Sequence, residues 1–113
     1  MKKVQIETII KEFINTANEF NIDALLTLFA KDAVIKDVSV GETFRNTTGV
    51  RRYLERFFID YHTQTRAESF KIITPQHAIA LVDFTGDFGH ETGGLEFTVN
   101  NDGLINTIEA YLD

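Results

Sequence analysis

The strongest constraint on the fold is a change in the spacing of apolar residues halfway along the chain. In the first half they recur every three or four positions, which is the spacing of one face of an α-helix. Each helix with one apolar face needs an apolar surface on which to pack. Three such stripes predict three helices: Ile6, Ile9, Ile10, Phe13, Ile14, Ala17 and Phe20; Ile22, Leu25, Leu26 and Phe29; and Val50, Tyr53, Leu54, Phe57, Phe58 and Tyr61.

The second half of the chain predicts that surface as a β-sheet. Runs rich in β-branched and aromatic residues, separated by turn residues, predict strands over 66–74, 78–88, 94–99 and 104–112. Asp102-Gly103 between the last two runs is typical of a tight hairpin. A further short strand is predicted over 33–38. Helices followed by a meander of strands predict an α+β fold, with the helices against a curved antiparallel (mixed) sheet and an apolar pocket between them.

Length and composition limit the chain to one domain, residues 1–113, and exclude several classes of function. The net charge of −6 and the pI near 5.0 argue against nucleic acid and anionic membrane as partners. No apolar stretch has the length of a membrane span. The absence of cysteine excludes disulfides and thiolate metal sites, and it favours a reducing, cytoplasmic location.

The familiar patterns of metal and nucleophile chemistry are missing from the sequence. His62, His77 and His90 are not at ligand spacing with one another or with a carboxylate on a helix, so neither a metal nor another cofactor is expected. Ser39 and Ser69 do not lie in a nucleophile-elbow context. A lone histidine in such a context is expected to be a surface or hydrogen-bonded polar residue, and His90, in a glycine-rich hairpin, is the candidate among the three for a group at the mouth of a pocket.

Asp37 is the candidate catalytic residue, because it shares a strand face with Ile35. If that face meets the helices, its carboxyl points into an apolar space. An ionised, unpaired carboxylate there would cost several kcal/mol, so desolvation favours the neutral form, as a general acid or base near pH 7 requires. In the alternative, Asp37 is wetted at the pocket mouth or paired with an arginine. The predicted ligand contacts are Phe13, Ile35, Phe57, Val82, Phe84, Leu95 and Phe97.

The order of these elements resembles a known superfamily. The segment Asn-Ile-Asp-Ala-Leu-Leu-Thr-Leu-Phe-Ala-Lys-Asp-Ala-Val at 21–34, the strand ending in Asp37, Gly49 at the third helix and Asp102-Gly103 before the last strand carry the resemblance. The whole chain is similar to the nuclear transport factor 2-like superfamily, and within it to SnoaL-like polyketide cyclases and ketosteroid isomerases. The resemblance implies a cystatin-like fold, in which the helices form a cone against the sheet.

Comparison with ketosteroid isomerases implies a role for Asp37 and the loss of its polar partners. By this resemblance, Asp37 falls at the proton-shuttling aspartate. Phe13 and Leu95 fall at the two groups that donate to the developing oxyanion, and Phe57 falls at a supporting tyrosine. Each lost oxyanion donor costs about 2.7–4 kcal/mol of transition-state stabilisation, so ketosteroid isomerase activity itself is not expected.

Two functions follow as hypotheses. In the first, a SnoaL-like protein binds a small apolar ligand between helices and sheet, with Asp37 as general acid or base in a cofactor-independent isomerase, cyclase or lyase step. In the second, the chain is a non-catalytic ligand-binding or dimerisation module of the same superfamily. A third possibility is that the ten phenylalanines fill the interior and leave no cavity. A homodimer is expected through the outer sheet face, which carries Arg66, Glu68, Asp83, Thr85 and Thr98.

Overall fold

The computed structural model describes residues 5–113 and has the predicted α+β architecture. The helices are α1 (Ile6–Asn18), α2 (Ile22–Leu26) and α3 (Asn46–Leu54), and α3 continues into a π-helical turn at Glu55–Ile59. The strands are β1 (Phe29–Asp37), β2 (Glu42–Arg45), β3 (Gln64–Thr74), β4 (His77–Gly86), β5 (Gly89–Val99) and β6 (Ile105–Leu112). The three helices pack against one face of the curved sheet, as predicted.

The sheet has six strands in the order β2-β1-β6-β5-β4-β3. Only the contact between β1 and β6 is parallel, and the other neighbours are antiparallel, so the sheet is mixed. The parallel contact places Asp37, the last residue of β1, beside Ala110. The end of a strand near the N-terminus is thereby held inside the sheet by the last strand of the chain.

The first helix and strand differ from their predicted limits. Helix α1 ends at Asn18, and Phe20 has a left-handed backbone (φ 58°) outside it. The Asn18 side chain donates to the Thr65 carbonyl at 2.9 Å and accepts from the Thr65 amide at 2.7 Å, which ties the helix end to edge strand β3. Phe29 begins β1 and does not extend α2. The apolar spacing in the sequence continues to Phe20 and Phe29, whereas the two helices end at Asn18 and Leu26.

Strand β2 was not predicted, because only Phe44 in its four residues is buried. Its short sequence carries no alternation long enough to indicate a strand. It pairs with the end of β1 in antiparallel register, with Phe44 opposite Ile35. The loop after Asp37 is therefore a hairpin that folds back along β1.

Edge-to-face aromatic contacts fill the centre of the core. The Phe13 ring in α1 lies 6.0 Å from Phe29, 6.0 Å from Phe58 and 5.4 Å from Phe97, measured between ring centroids. Edge-to-face pairs at these distances add to the stabilisation from burying the rings. Ala80 and Val82 of β4 are buried on the sheet face that meets this core.

The opposite sheet face is polar and open. Leu81 is exposed there, and Arg66 donates to Asp83 on the neighbouring strand at 3.1 Å. The homodimer through this face stays a prediction. Within residues 5–113, none of the helices has both the length and the apolar character needed to cross a bilayer.

Gly94 provides a test of how closely β5 and β6 approach. It lies opposite Tyr111, and a Cβ atom at position 94 would fall 2.2 Å from the Tyr111 ring. Gly94→Ala should lower the free energy of unfolding by about 1–3 kcal/mol, because the ring must move. In a Tyr111→Ala background the same change should cost less than about 1 kcal/mol, measured by urea denaturation. An equal cost in both backgrounds would show that the ring is not the obstacle.

Candidate functional site

A cavity of about 410 Å³ lies between the α3 segment and the sheet. This volume falls in the range of about 300–1,000 Å³ found for small-molecule pockets. The phenylalanines therefore do not fill the interior. The lining residues are Asp37, Ser39, Val40, Tyr53, Phe57, Phe58, Tyr61, Thr63, Phe84, Asp87, Phe88, Glu91, Ala110, Tyr111 and Leu112.

A continuous row of rings forms one wall of this cavity. Tyr53, Phe57 and Tyr61 follow one another at every fourth residue, with ring centroids 4.9 Å and 6.2 Å apart. Phe88, in the hairpin between β4 and β5, continues the row 6.1 Å from Tyr61. Tyr61 and Phe88 are both partly open to solvent, so this end is the rim of the cavity. The wall offers apolar and aromatic surface from the interior to the rim.

Asp37 is buried on the cavity wall, with only 5% of its surface exposed. Its Oδ1 atom accepts from the Ser39 amide at 2.9 Å and from the Ser39 hydroxyl at 2.5 Å, because the chain turns back directly after β1. Its Oδ2 atom accepts from the Tyr53 hydroxyl at 2.9 Å. Within residues 5–113, Asp37 makes no ion pair, and the arginine pairing considered from the sequence is absent there.

Tyr53 connects the aromatic wall to this carboxyl. It is buried, and burial raises its pKa well above the ordinary value for tyrosine, with the charge of Asp37 and the hydrogen bond to it acting in the same direction. The phenol is therefore neutral across the physiological range and stays a hydrogen-bond donor. Three donors and no cation surround the buried carboxyl, an arrangement that can anchor a polar group of a ligand or accept a proton from it.

The structure divides the predicted contact residues into two groups. Asp37, Phe57 and Phe84 line the cavity. The others are packed deeper, where the ring of Phe13 and its neighbours occupies the space, and they are not among the lining residues: Phe13, Ile35, Val82, Leu95 and Phe97 are each at most 2% exposed. The comparison with ketosteroid isomerases implied that Phe13, Leu95 and Phe57 stand where those enzymes have polar groups. Of these three side chains, only Phe57 reaches the cavity.

His90 does not lie at the pocket mouth and points to the outer face of the sheet, where it hydrogen-bonds Asp83. The hairpin register explains why. Phe84, which lines the cavity, lies opposite Glu91, and Thr85 lies opposite His90. Glu91 therefore faces inward and its neighbour faces outward. The sequence contains the alternation, but it does not fix the register of the turn.

Sequence reasoning also left out acidic and hydroxyl groups of the cavity. Asp87 and Glu91 lie at the rim, where Asp87 Oδ2 is 2.9 Å from His62 Nδ1. Thr63 lies deeper and donates to the Phe57 carbonyl at 2.6 Å. The one signal for Tyr53 was its position four residues before Phe57 in the third apolar stripe. Within the described range, groups of three or more residues able to hold a metal ion are absent.

The hydrogen bond from Tyr53 to Asp37 should contribute measurably to stability. Tyr53→Phe removes the donor and leaves Oδ2 of a buried carboxyl without it, which should lower the free energy of unfolding by about 1–3 kcal/mol at pH 7. Tyr61→Phe is the matched control, because Tyr61 is 40% exposed, and it should change stability by less than about 0.5 kcal/mol. Urea denaturation of the three proteins measures both changes; equal losses would contradict the role of Tyr53.

The raised pKa of Tyr53 also predicts how this difference depends on pH. The folded chain favours the neutral phenol of Tyr53. Its contribution to the free energy of unfolding is therefore complete below the pKa of an unfolded tyrosine, about 10, and is lost as pH rises through the higher folded pKa. The stability gap between wild type and Tyr53→Phe should therefore be constant from pH 7 to about 9 and narrow above about pH 10. A gap that widens above that pH would show the opposite sign.

Comparisons with known proteins agree with this fold. The family model of the SnoaL-like domain matches residues 10–106. No curated protein sequence matches the chain. Among solved structures, a nuclear transport factor 2-like protein from Cytophaga hutchinsonii superposes with a TM-score of 0.82 at 11% identity, over 99% of this chain and 93% of that one.

Two other similar structures carry ligand or enzyme names. RV0760c from Mycobacterium tuberculosis, in complex with estradiol-17β-hemisuccinate, has a TM-score of 0.83 at 16% identity, over 94% of this chain and 92% of that one. The epoxide hydrolase/cyclase-like enzyme SalBIII has a role in pyran ring formation in the polyether salinomycin. It has a TM-score of 0.83 at 15% identity, over 95% of this chain and 89% of that one. At these identities the similarity shows the fold. The family model matches most of the length of this chain, and the chain therefore belongs to the SnoaL-like domain family of the nuclear transport factor 2-like superfamily.

Proposed function

We propose that this protein binds a small, mostly apolar molecule in the cavity, with one hydrogen-bond donor of that molecule directed at Asp37. The observation that carries the proposal is a buried carboxyl on the wall of a 410 Å³ cavity whose other wall is a row of aromatic rings. In a mostly apolar pocket, a small number of polar groups usually orients the ligand. The two oxygens of Asp37 accept three hydrogen bonds, and a carboxylate has about four acceptor positions, so one remains for a ligand.

The aromatic row supports a flat ligand body. Tyr53 and Phe57 are tilted by 43° with centroids 4.9 Å apart, and Phe84 lies across the cavity on β4. Rings in such a row give contact area at little entropic cost, because their side chains are already packed. The named ligand of RV0760c, a steroid hemisuccinate, has a flat, apolar body of this kind and also carries a free carboxyl group.

Two probes that differ by one hydrogen-bond donor test this proposal. We expect 2-naphthol to shift the amide NMR signals of Asp37, Tyr53, Phe57 and Phe84 in a saturable way. It should bind about tenfold more tightly than 2-methoxynaphthalene, which has no hydroxyl, because a hydrogen bond to a charged acceptor contributes about 1.5–3 kcal/mol. Absence of saturable shifts at these residues, or shifts of the same size at exposed Leu81, would refute binding in the cavity.

Two isosteric variants separate the role of Asp37 from a general charge effect. Asp37→Asn keeps the shape but weakens the acceptor, and it should reduce the preference for 2-naphthol to about threefold or less. Asp32→Asn removes the same charge from an exposed position of the same strand and should leave the preference unchanged. Equal effects of the two substitutions would mean that Asp37 does not contact the hydroxyl.

Proton transfer by Asp37 is the second candidate function. It is supported by the fact that Asp37 is the one buried charged side chain within residues 5–113, and it lies on the cavity wall. In such a step the carboxylate takes a proton from an activated carbon of the ligand, and the electron pair remains on the ligand as an enolate that the ligand's own conjugation stabilises, because Phe13 and Leu95 offer no donor to it. This chemistry is that of a cofactor-independent isomerase, cyclase or lyase. A non-catalytic module would use the same carboxylate only as an anchor.

Hydrogen–deuterium exchange distinguishes catalysis from binding alone. With 2-tetralone in deuterated buffer, the wild-type protein should accelerate exchange at the carbon next to the carbonyl. Asp37→Asn should lower this acceleration by about 10²–10⁴-fold, while Asp32→Asn should retain it. Protein NMR shifts establish that 2-tetralone still occupies the cavity of the variant. Saturable binding with no acceleration in wild type would leave the protein as a binding module.

A further inference from the structure

We infer that the ligand of this cavity is an organic cation, with its positive group at the rim beside Asp87 and Glu91 and its apolar body against the aromatic row. The inference rests on the proposed function, because it specifies the class of molecule that the same cavity selects. It is carried by the signs of the charges around the cavity. The three carboxyl side chains that line it are Asp37, Asp87 and Glu91.

Cationic side chains do not balance these acids on the cavity wall. Among the lining residues, in the part of the chain that the structure describes, there is no Lys, Arg or His. His62 contacts Asp87 from outside the lining, with Nδ1 2.9 Å from Oδ2. Arg56 lies over the Phe57 ring at 4.8 Å, and its Nη1 atom is 3.4 Å from Glu42 Oε1. Both nearby basic side chains therefore already contact an acidic side chain.

Glu91 is the rim carboxylate that the structure leaves for a ligand. It makes no side-chain hydrogen bond or ion pair among residues 5–113, in contrast to Asp87 with His62. Its inward direction is set by the register of the β4–β5 hairpin, in which it lies opposite Phe84. An anionic ligand would bring like charges together at this rim, and like-charge contacts are a strong basis for rejecting a partner.

The aromatic composition of the rim favours the same sign of charge. Tyr61 and Phe88 lie at the open end of the row, where an ammonium group beside the acids can contact ring faces. Cation–π contacts of this kind favour amines over neutral groups of the same size. The net charge of −6 adds a long-range attraction in the same direction, although salt screens it. Acidic and aromatic groups at one opening thus select for a positive charge on an apolar body.

Three naphthols with the same body and different charge test the inference. The amine 6-(aminomethyl)-2-naphthol should bind at least about tenfold more tightly than the neutral 6-(hydroxymethyl)-2-naphthol, with the acid 6-hydroxy-2-naphthoic acid weakest. Affinities are measured by naphthol fluorescence at pH 7 and 0.15 M salt, with saturable NMR shifts at Glu91 and Phe84 as the check on location. Equal or tighter binding of the acid would overturn the inference.

Two charge-removing variants separate the rim from the overall charge. Glu91→Gln should reduce the affinity for the amine by about threefold or more and leave that for the neutral alcohol unchanged. Glu109→Gln removes one charge from an exposed position on the outer sheet face and should change neither. Equal effects of the two substitutions would refute a contact at the rim. If the neutral alcohol binds without any preference for the amine, only this inference fails; if none of the three binds, the proposed function fails with it.

Discussion

The parallel contact between β1 and β6 is the interaction on which the site depends. It joins segments that are about seventy residues apart in the sequence. The Val38 amide donates to the Ala110 carbonyl at 2.9 Å, and the Ile105 amide donates to the Leu28 carbonyl at 2.8 Å. Without this pairing, β1 and β2 would form an isolated hairpin, which is marginally stable in water. The end of β1 would then be solvated. Because β6 covers it, the carboxyl at that position is buried beside an internal cavity.

A buried carboxyl requires compensation, and this chain supplies it with neutral donors. Burial removes the carboxyl from water, and the hydrogen bonds from Ser39 and Tyr53 replace part of the contacts that it loses. A cationic partner would have occupied the acceptor positions and blocked the cavity. Hydroxyl and amide donors instead leave room for a molecule from outside. The same local arrangement therefore suits an anchor for a ligand and a base, and structures with the same fold have names that refer to a bound ligand and to an enzyme.

The parts of this structure that could be predicted from the sequence are those fixed by burial of one face. The α1 stripe and the shared strand face of Ile35 and Asp37 indicated which side chains turn inward, and these side chains are buried except for Phe20 at the end of the stripe. Periodicity does not encode depth, so it could not separate Phe57, on the cavity wall, from Phe13, in the core. The contact of Tyr53 with Asp37 depends on how α3 is rotated over the sheet, which is a property of the assembled fold.

The π-helical turn after α3 has a consequence for how such cavities diversify. The Asp60 amide bonds to the Glu55 carbonyl at 2.8 Å, five residues back, so this turn holds one residue more than an α-helical turn. Such a turn absorbs one extra residue locally, so loss of one residue here would restore an α-helical turn while Tyr53 before it and Tyr61 after it kept their directions. The side chains within the turn, Phe57 among them, would be the ones to change place. A single codon deletion or insertion could in this way alter the middle of the aromatic row during evolution without disturbing the scaffold.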